Sequence, residues 1–483
     1  MMNAIRRGSE MKNLDVLSSL EDLDSAALTR RRFLQGTLAG AASSLLLPGT
    51  SLAQPTGDRP AVARGVRAIN PRARVPVSFI IDDSTCLVNL AHYCIPQFAE
   101  VFPNRYKQDW RKLPTEIPDA FVRKFGEWCG EHGVKGKYSV VPYPACVGWV
   151  DREMPGWTKG QLEASLKLLR EFMAPNWDFH PEMVTHTWVI NPKTGRPFEE
   201  RSARYMENWE WSVGRSVDEM TEYLAFALKI LKNAGLPCEG VTTPGGFGNR
   251  ARESLAQGAF NSVRDVFGTE IPHYFRDLFT DDRSVVPKVQ YARDLDTDDP
   301  KCVVSIIGCT GDWFGGWDGL ERGTVDQFIT EDLKGGRLPQ VIEKGEPAIL
   351  VCHWPGIYFN GEEYGFNVFK TAVERMHRRF DNLVWMKLSE IARYWAAKEL
   401  TTLAKQGAAV TLQAPYACPG YTVEVEDSPK GRPVIAAVGA EEALKPCGRR
   451  LDLASGLYHR DGTTTTVCFD LKKGSSRVEW RET

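Results

Sequence analysis

The sequence predicts an α/β fold: a distorted, seven-stranded (β/α) barrel followed by a small β-rich module. Three observations predict it. Between residues 75 and 399, short apolar runs alternate with amphipathic helical stretches, the pattern of a parallel sheet. No Gly-rich dinucleotide fingerprint follows the first run, which argues against a nicotinamide-binding sheet and for a closed or nearly closed barrel. Acidic and imidazole side chains also stand at or near the ends of several runs, where barrels gather their chemistry.

The chain has 483 residues and 42% hydrophobic content, enough for a substantial core and more than one domain. Its first 53 residues read as a leader. Thr29-Arg30-Arg31-Arg32-Phe33-Leu34-Gln35 resembles the twin-arginine export consensus, and Ser51-Leu52-Ala53 offers small residues for cleavage. The apolar stretch 36–47 falls short of the roughly 20 residues a membrane span needs. The leader therefore implies export to the periplasm or beyond by the twin-arginine machinery, with no stable membrane span after cleavage. It carries six Lys/Arg and five Asp/Glu, so its removal takes the net charge from -2 to -3. Neither value gives an electrostatic footprint for nucleic acid. The eleven Cys are scattered with no CxxC pair, which excludes zinc-ribbon and dithiol motifs. Cys309 and Cys352 lie in apolar runs and read as buried thiols.

Residues 54–74, rich in Pro, Arg and Ala, read as a linker or a strap over the surface. Strands are predicted at 75–81, 136–141, 181–186, 238–243, 302–308, 347–353 and 382–387. Helices are predicted at 115–131, 159–173, 216–234, 249–266, 324–343, 365–379 and 388–399. Over 216–234, Ser216 can cap the start, Met220, Tyr223, Leu224, Phe226, Leu228 and Leu231 recur at helical spacing, and Gly235 stops the helix. After residue 400 the period changes to two, as in Tyr421-Thr422-Val423-Glu424-Val425-Glu426. Turn signals at Ser428-Pro429-Lys430-Gly431 and Asp461-Gly462 separate such runs, giving a β-rich module over 401–483.

The candidate chemistry begins at Asp82-Asp83, which follows Val77-Ser78-Phe79-Ile80-Ile81. Two carboxylates leaving a buried strand need a metal or a proton. Because neighbouring strand residues face opposite ways, both reach one site only where the strand ends. His186 and His353 also stand at or near strand ends. Asp312, after the strand at 302–308, is a further site carboxylate. Trp188, Trp313 and Trp354, with Trp209, Trp211, Trp317 and Tyr358, lie near the predicted mouth, and aromatic faces on loops suit sugar rings. The interruption at 191–215 reads as a lid or a groove wall.

On these residues the chain resembles the polysaccharide deacetylase (NodB-homology) family over about residues 75–399. Phe79-Ile80-Ile81-Asp82-Asp83 resembles the first motif, which implies that Asp82 is the catalytic base and Asp83 a ligand of a divalent metal, usually zinc. Glu182-Met183-Val184-Thr185-His186-Thr187-Trp188 is similar to the second, whose His binds the metal. Thr243-Pro244-Gly245-Gly246-Phe247-Gly248-Asn249 resembles the third, a groove-lining loop, giving Pro244 and Gly246 as substrate contacts. Leu350-Val351-Cys352-His353 resembles the last, whose His is the general acid. Two positions depart from the pattern: Ile190 stands where a second metal-binding His is usual, and Thr242 where an Arg holds the catalytic Asp.

Other residues could stand in for the second His. His180 shares strand parity with His186, but six strand residues span roughly 20 Å, against a zinc–nitrogen bond of about 2 Å, so it reads as structural. Asn191 is a poor ligand, and His92 could fold back over the mouth. The resemblance implies an exported metal-dependent hydrolase that removes an N- or O-acetyl group from a carbohydrate or other acylated small molecule. Two alternatives stand beside it. Ile190 and Thr242 motivate a non-catalytic carbohydrate-binding protein on the same scaffold. Asp82 and Asp312 could instead be the carboxylate pair of a glycoside hydrolase.

Overall fold

The computed structural model describes residues 57–437 and 439–482, and the predicted leader lies outside them. Among the described residues no helix is long and apolar enough to cross a membrane.

The strand Val75–Asp82 is buried along its whole length. Its alternation sorts the side chains. Phe79 stacks on Phe369 at 4.2 Å and meets Trp177 and Phe314 edge-on, which docks the helix Tyr364–Arg379. Ile80 instead joins a cluster with Val304, Ile306, Ile349 and Val351.

Mixed α/β architecture surrounds this strand. One sheet runs Ala348–His353, Val75–Asp82, Gly136–Ser139, Trp177–His180, all parallel, and Leu383–Trp385 pairs with the start of Val75–Asp82. A second has Gly240–Thr242, His273–Leu278 and Lys301–Gly308 parallel, with Lys288–Arg293 antiparallel at its edge. The sheets meet at two places. At one, Glu182 bridges Thr242, whose N–H donates to Pro181 O at 3.1 Å. At the other, Cys309 N–H donates to Ile349 O at 2.8 Å, and Val351 N–H to Thr310 Oγ1 at 3.0 Å.

Several elements differ from the sequence reading. The strand expected at 181–186 lies instead at Trp177–His180. Pro181 has no N–H for a ladder, and Met183 and His186 take φ of 53° and 66°, so the chain leaves the sheet before His186. His273–Leu278 and Lys288–Arg293 escaped the pattern because charged residues interrupt their apolar runs. The helix Leu90–Val101 escaped it because Pro96 lies inside. The single helix expected over 324–343 divides into Val325–Phe328 and Arg337–Glu343, since Gly335 and Gly336 intervene and Gly336 takes φ 93°.

The C-terminal region forms two five-stranded sheets, β-rich as its period-two pattern predicts. One of them recruits Val66–Ala68, antiparallel to Cys418–Val425, so the segment read as a linker or strap contributes an edge strand. The helix Leu388–Leu400 ties the regions together. Ile391, Tyr394, Trp395 and Leu400 share one apolar cluster with Val410, Tyr421, Val423 and Phe469, and Tyr394 Oη donates to Ile69 O at 2.7 Å.

Candidate active site

Asp82 and His353 are register partners at the ends of adjacent parallel strands. The next residue, Asp83, takes φ 57°, a left-handed turn that lets two consecutive aspartates serve one site. Both are buried.

Asp82 is held by Lys137, which rises from the neighbouring strand with its side chain fully buried. Lys137 Nζ contacts Asp82 Oδ1 and donates to Ser139 Oγ at 2.7 Å and Ile81 O at 3.1 Å. Burial pushes the Asp82 carboxyl up to about 6, with the Lys137 charge holding it down against that cost.

Asp83, Glu182 and His186 bring one potential ligand atom each within 4.8 Å of one another, all three residues buried. His186 Nε2 lies 2.6 Å from Asp83 Oδ1 and 3.5 Å from Glu182 Oε1. Glu182 Oε2 accepts from Asp83 N–H at 2.8 Å. The 2.6 Å approach lacks hydrogen-bond alignment, and Asp83 Oδ1 is left without a hydrogen-bond partner. That is the arrangement of a ligand set converging on a common point. Burial would lower His186, but the Asp83 charge, with the close polar contacts to Cys94 and Glu182, outweighs it and holds the ring well above its ordinary range. Burial would likewise raise Glu182, yet His186 and Lys137 bring it to about 2. The two carboxylates thus demand a positive charge, which the imidazolium proton provides and a divalent cation can replace. The residues fit a metal ion.

His353 closes the other side. Its Nδ1 pairs with Asp312 Oδ2 at 2.8 Å, leaving Nε2 free, and its side chain is 30% exposed against 6% for His186. Burial opposes protonation of this ring, but the carboxylates of Asp83, Asp312 and Asp82 push it up to about 10.

Sequence reasoning named Asp82, Asp83, His186 and His353, and the structure brings all four together. It missed two partners. Glu182 lies inside the quoted motif, four residues before His186, but reading 181–186 as a strand gave no reason to bring the two side chains together. Lys137 carries no motif; a lone Lys in the apolar run 136–141 was the available signal. Asp312 orients His353. His92 lies elsewhere, its Nδ1 against Leu113 O at 2.8 Å and its ring edge-on to Trp110. Asn191 sits in a two-residue strand paired with Arg196–Pro197. His180 is buried against His273 (Nε2 to Nε2, 2.9 Å) and Thr242 Oγ1 (3.1 Å), with burial holding both rings below their ordinary range.

The predicted substrate contacts scatter. Trp354 is 1% exposed and packs on Phe121, Phe125 and Tyr138, so its faces belong to the core. Trp188 is buried beneath the Arg201 guanidinium. Trp313 is half-buried, edge-on to Phe328. Pro244 is buried, and Gly246 N–H donates to Asn208 O at 2.6 Å, docking that loop. Of the other aromatics expected near the mouth, Trp209 and Trp317 lie beside the site, gathered on Phe98. Phe98 stands 6.4 Å from the His186 ring and contacts Trp209 and Trp317, which are half-exposed along with Tyr106. All eleven Cys are free.

No family model matches the chain, and no curated protein does. Among solved structures it is similar to a Puue allantoinase at 12% identity, over 68% of this chain and 91% of that one, with a TM-score of 0.36. It is also similar to an α-L-fucosidase (9% identity, 86% and 97%, TM-score 0.29). A third is the catalytic domain of GH30 xylanase C from Talaromyces cellulolyticus (9% identity, 86% and 100%, TM-score 0.27). At these scores the likenesses carry no weight for the chemistry.

Proposed function

We propose that this chain is an exported, metal-dependent hydrolase of the polysaccharide deacetylase type that removes an N- or O-acetyl group from a carbohydrate. One observation carries the reading: both departures from the family pattern are made good by neighbouring residues. Glu182 completes a three-residue ligand set that Ile190 cannot, and Lys137 holds Asp82 where Thr242 cannot. The two junctions between the sheets support a seven-stranded (β/α) barrel, with the site at the C-terminal ends of its strands.

Asp83, Glu182 and His186 would hold the ion; one imidazole and two carboxylates suit zinc. When bound, a divalent cation polarises a carbonyl and lowers the pKa of water toward neutrality. Asp82, ionised and positioned by Lys137, accepts a proton at its carboxylate. His353 donates a proton from Nε2 to the departing amine or alcohol, while Asp312 accepts from Nδ1–H and fixes that tautomer. The aromatic group around Phe98, Trp209 and Trp317 offers faces to a sugar ring.

Two observations favour this reading over the alternatives. Glu182 and Lys137 remove the reason for a binding-only protein. Asp312 is committed to His353, which leaves a glycosidase without its second free carboxylate.

Acetate release from acetylated oligosaccharides tests the proposal. Asp82→Asn should lower turnover by about 10²–10⁴-fold, and turnover equal to wild type overturns the assignment. The pH profile tests the acid. His353 works in its protonated form, present below about pH 10. Asp312→Asn removes a carboxylate that raises that value, so the alkaline limb should move to lower pH. An unmoved limb argues against His353 as the acid.

A further inference from the structure

We propose that Glu207 is a positioning residue that sets the ligand geometry of His186; this rests on reading Asp83, Glu182 and His186 as a metal site. His186 comes from a loop with no strand ladder to hold it, and two of its residues, Met183 and His186, adopt left-handed backbone that L-residues avoid. Tyr143 and Ala145 N–H groups reach the loop's carbonyls at Val184 and Thr185, both at 2.8 Å, and its own amides converge on a single carboxylate. The N–H groups of Val184, Thr185 and His186 donate to Glu207 at 3.1, 3.1 and 2.6 Å. Three successive amides turned to one side form a concave cradle for an acceptor, and here the acceptor is a carboxyl group of the chain itself. The phenol of Tyr223 donates to Glu207 Oε1 as well, and Glu207 N–H returns a hydrogen bond to Thr187 O at 2.8 Å.

Glu207 is fully buried and both of its oxygens are taken. It therefore has nothing to offer a metal or a substrate directly, and it acts through the backbone of His186. The shortest of the three amide contacts is the one to His186 itself. Tyr223 extends the arrangement: its oxygen accepts from Ile190 N–H at 3.2 Å, so one phenol ties Glu207 to the segment leaving the ligand loop. The sequence around Glu207, Met206-Glu207-Asn208-Trp209, gives no sign of this role, because the donors it meets are main-chain atoms.

The test uses the full-length chain with Co²⁺ and Zn²⁺ as probes. Affinity is read by competition with a chromophoric chelator, ligand geometry by the visible spectrum of bound Co²⁺, and folding by urea unfolding of the metal-free chain. Glu207→Gln replaces one acceptor oxygen with a donor. It should weaken metal binding by about 10–100-fold, as loss of an outer-shell partner does, and change the Co²⁺ spectrum. Tyr223→Phe keeps the carboxylate and its three amides and should give a smaller loss with the same spectral trend. If Glu207→Gln does not fold, Tyr223→Phe carries the test. Wild-type affinity and spectrum in a folded Glu207→Gln, or in Tyr223→Phe where only that variant folds, overturns the inference. A wild-type chain that binds neither ion overturns the metal reading itself, and the inference with it.

Discussion

Lys137→Met should destabilise the fold by about 3–5 kcal/mol, the cost of leaving a buried charge without its partner. Lys137 has no exposed side-chain surface and Asp82 has 8%, so water cannot replace the lost ammonium. Urea unfolding at neutral pH reads the effect. The loss should shrink as pH falls, because Asp82 is already raised to about 6 with Lys137 present and rises further without it. A group whose folded pKa is raised is relieved by protonation, so acid favours the variant's folded state relative to wild type. Lys137→Met combined with Asp82→Asn should recover most of the stability and none of the turnover, since no buried charge is then unpaired. A single Lys137→Met variant as stable as wild type contradicts the pairing.

Glu182→Gln should weaken Zn²⁺ binding by more than about 100-fold, the upper range for an outer-shell partner, because the proposed site uses Glu182 as a direct ligand. Two protein ligands rarely hold zinc, so in practice the ion should be lost on purification. Equilibrium dialysis against buffered Zn²⁺ measures it. Near-wild-type affinity would place the ion elsewhere or reduce its ligand set to Asp83 and His186.

These two residues also show what the sequence could and could not reveal. Asp82, Asp83 and His353 were legible because each sits beside a strongly apolar run, and strand ends are where a barrel concentrates chemistry. His186 was legible only through its motif, since the strand expected there lies at Trp177–His180. Glu182 and Lys137 were not. Reading 181–186 as a strand separated Glu182 from His186 by a strand's rise, whereas Met183 and His186 turn back through left-handed backbone and bring the two side chains to 3.5 Å. Nothing in the residue types between them signals that turn. Lys137 looks like an ordinary surface Lys in a short run, and only the register of Gly136–Ser139 against Val75–Asp82 places it under Asp82.

The same limit applies to the fold. Helices with clean periodicity, such as Val217–Asn233, matched their predicted bounds to within a residue. His273–Leu278 did not announce itself, because Arg276 and Asp277 in its outer half are charged and only partly buried where the strand leaves the core. The tryptophans misled for a related reason. Trp354 follows His353 directly, which suggested a place at the mouth, but it starts a short helix and turns into the core. Trp209, named among the mouth aromatics, does lie near His186, but through Phe98, which comes from a helix that no motif marks.

In the proposed mechanism Asp83, Glu182 and His186 hold an ion that the hydrolysis requires. Elemental analysis of the folded full-length chain, paired with acetate release before and after chelation, tests it most directly. The prediction is about one divalent ion per chain, loss of acetate release on its removal, and recovery when Zn²⁺ is returned. A metal-free chain that releases acetate at an undiminished rate would contradict it.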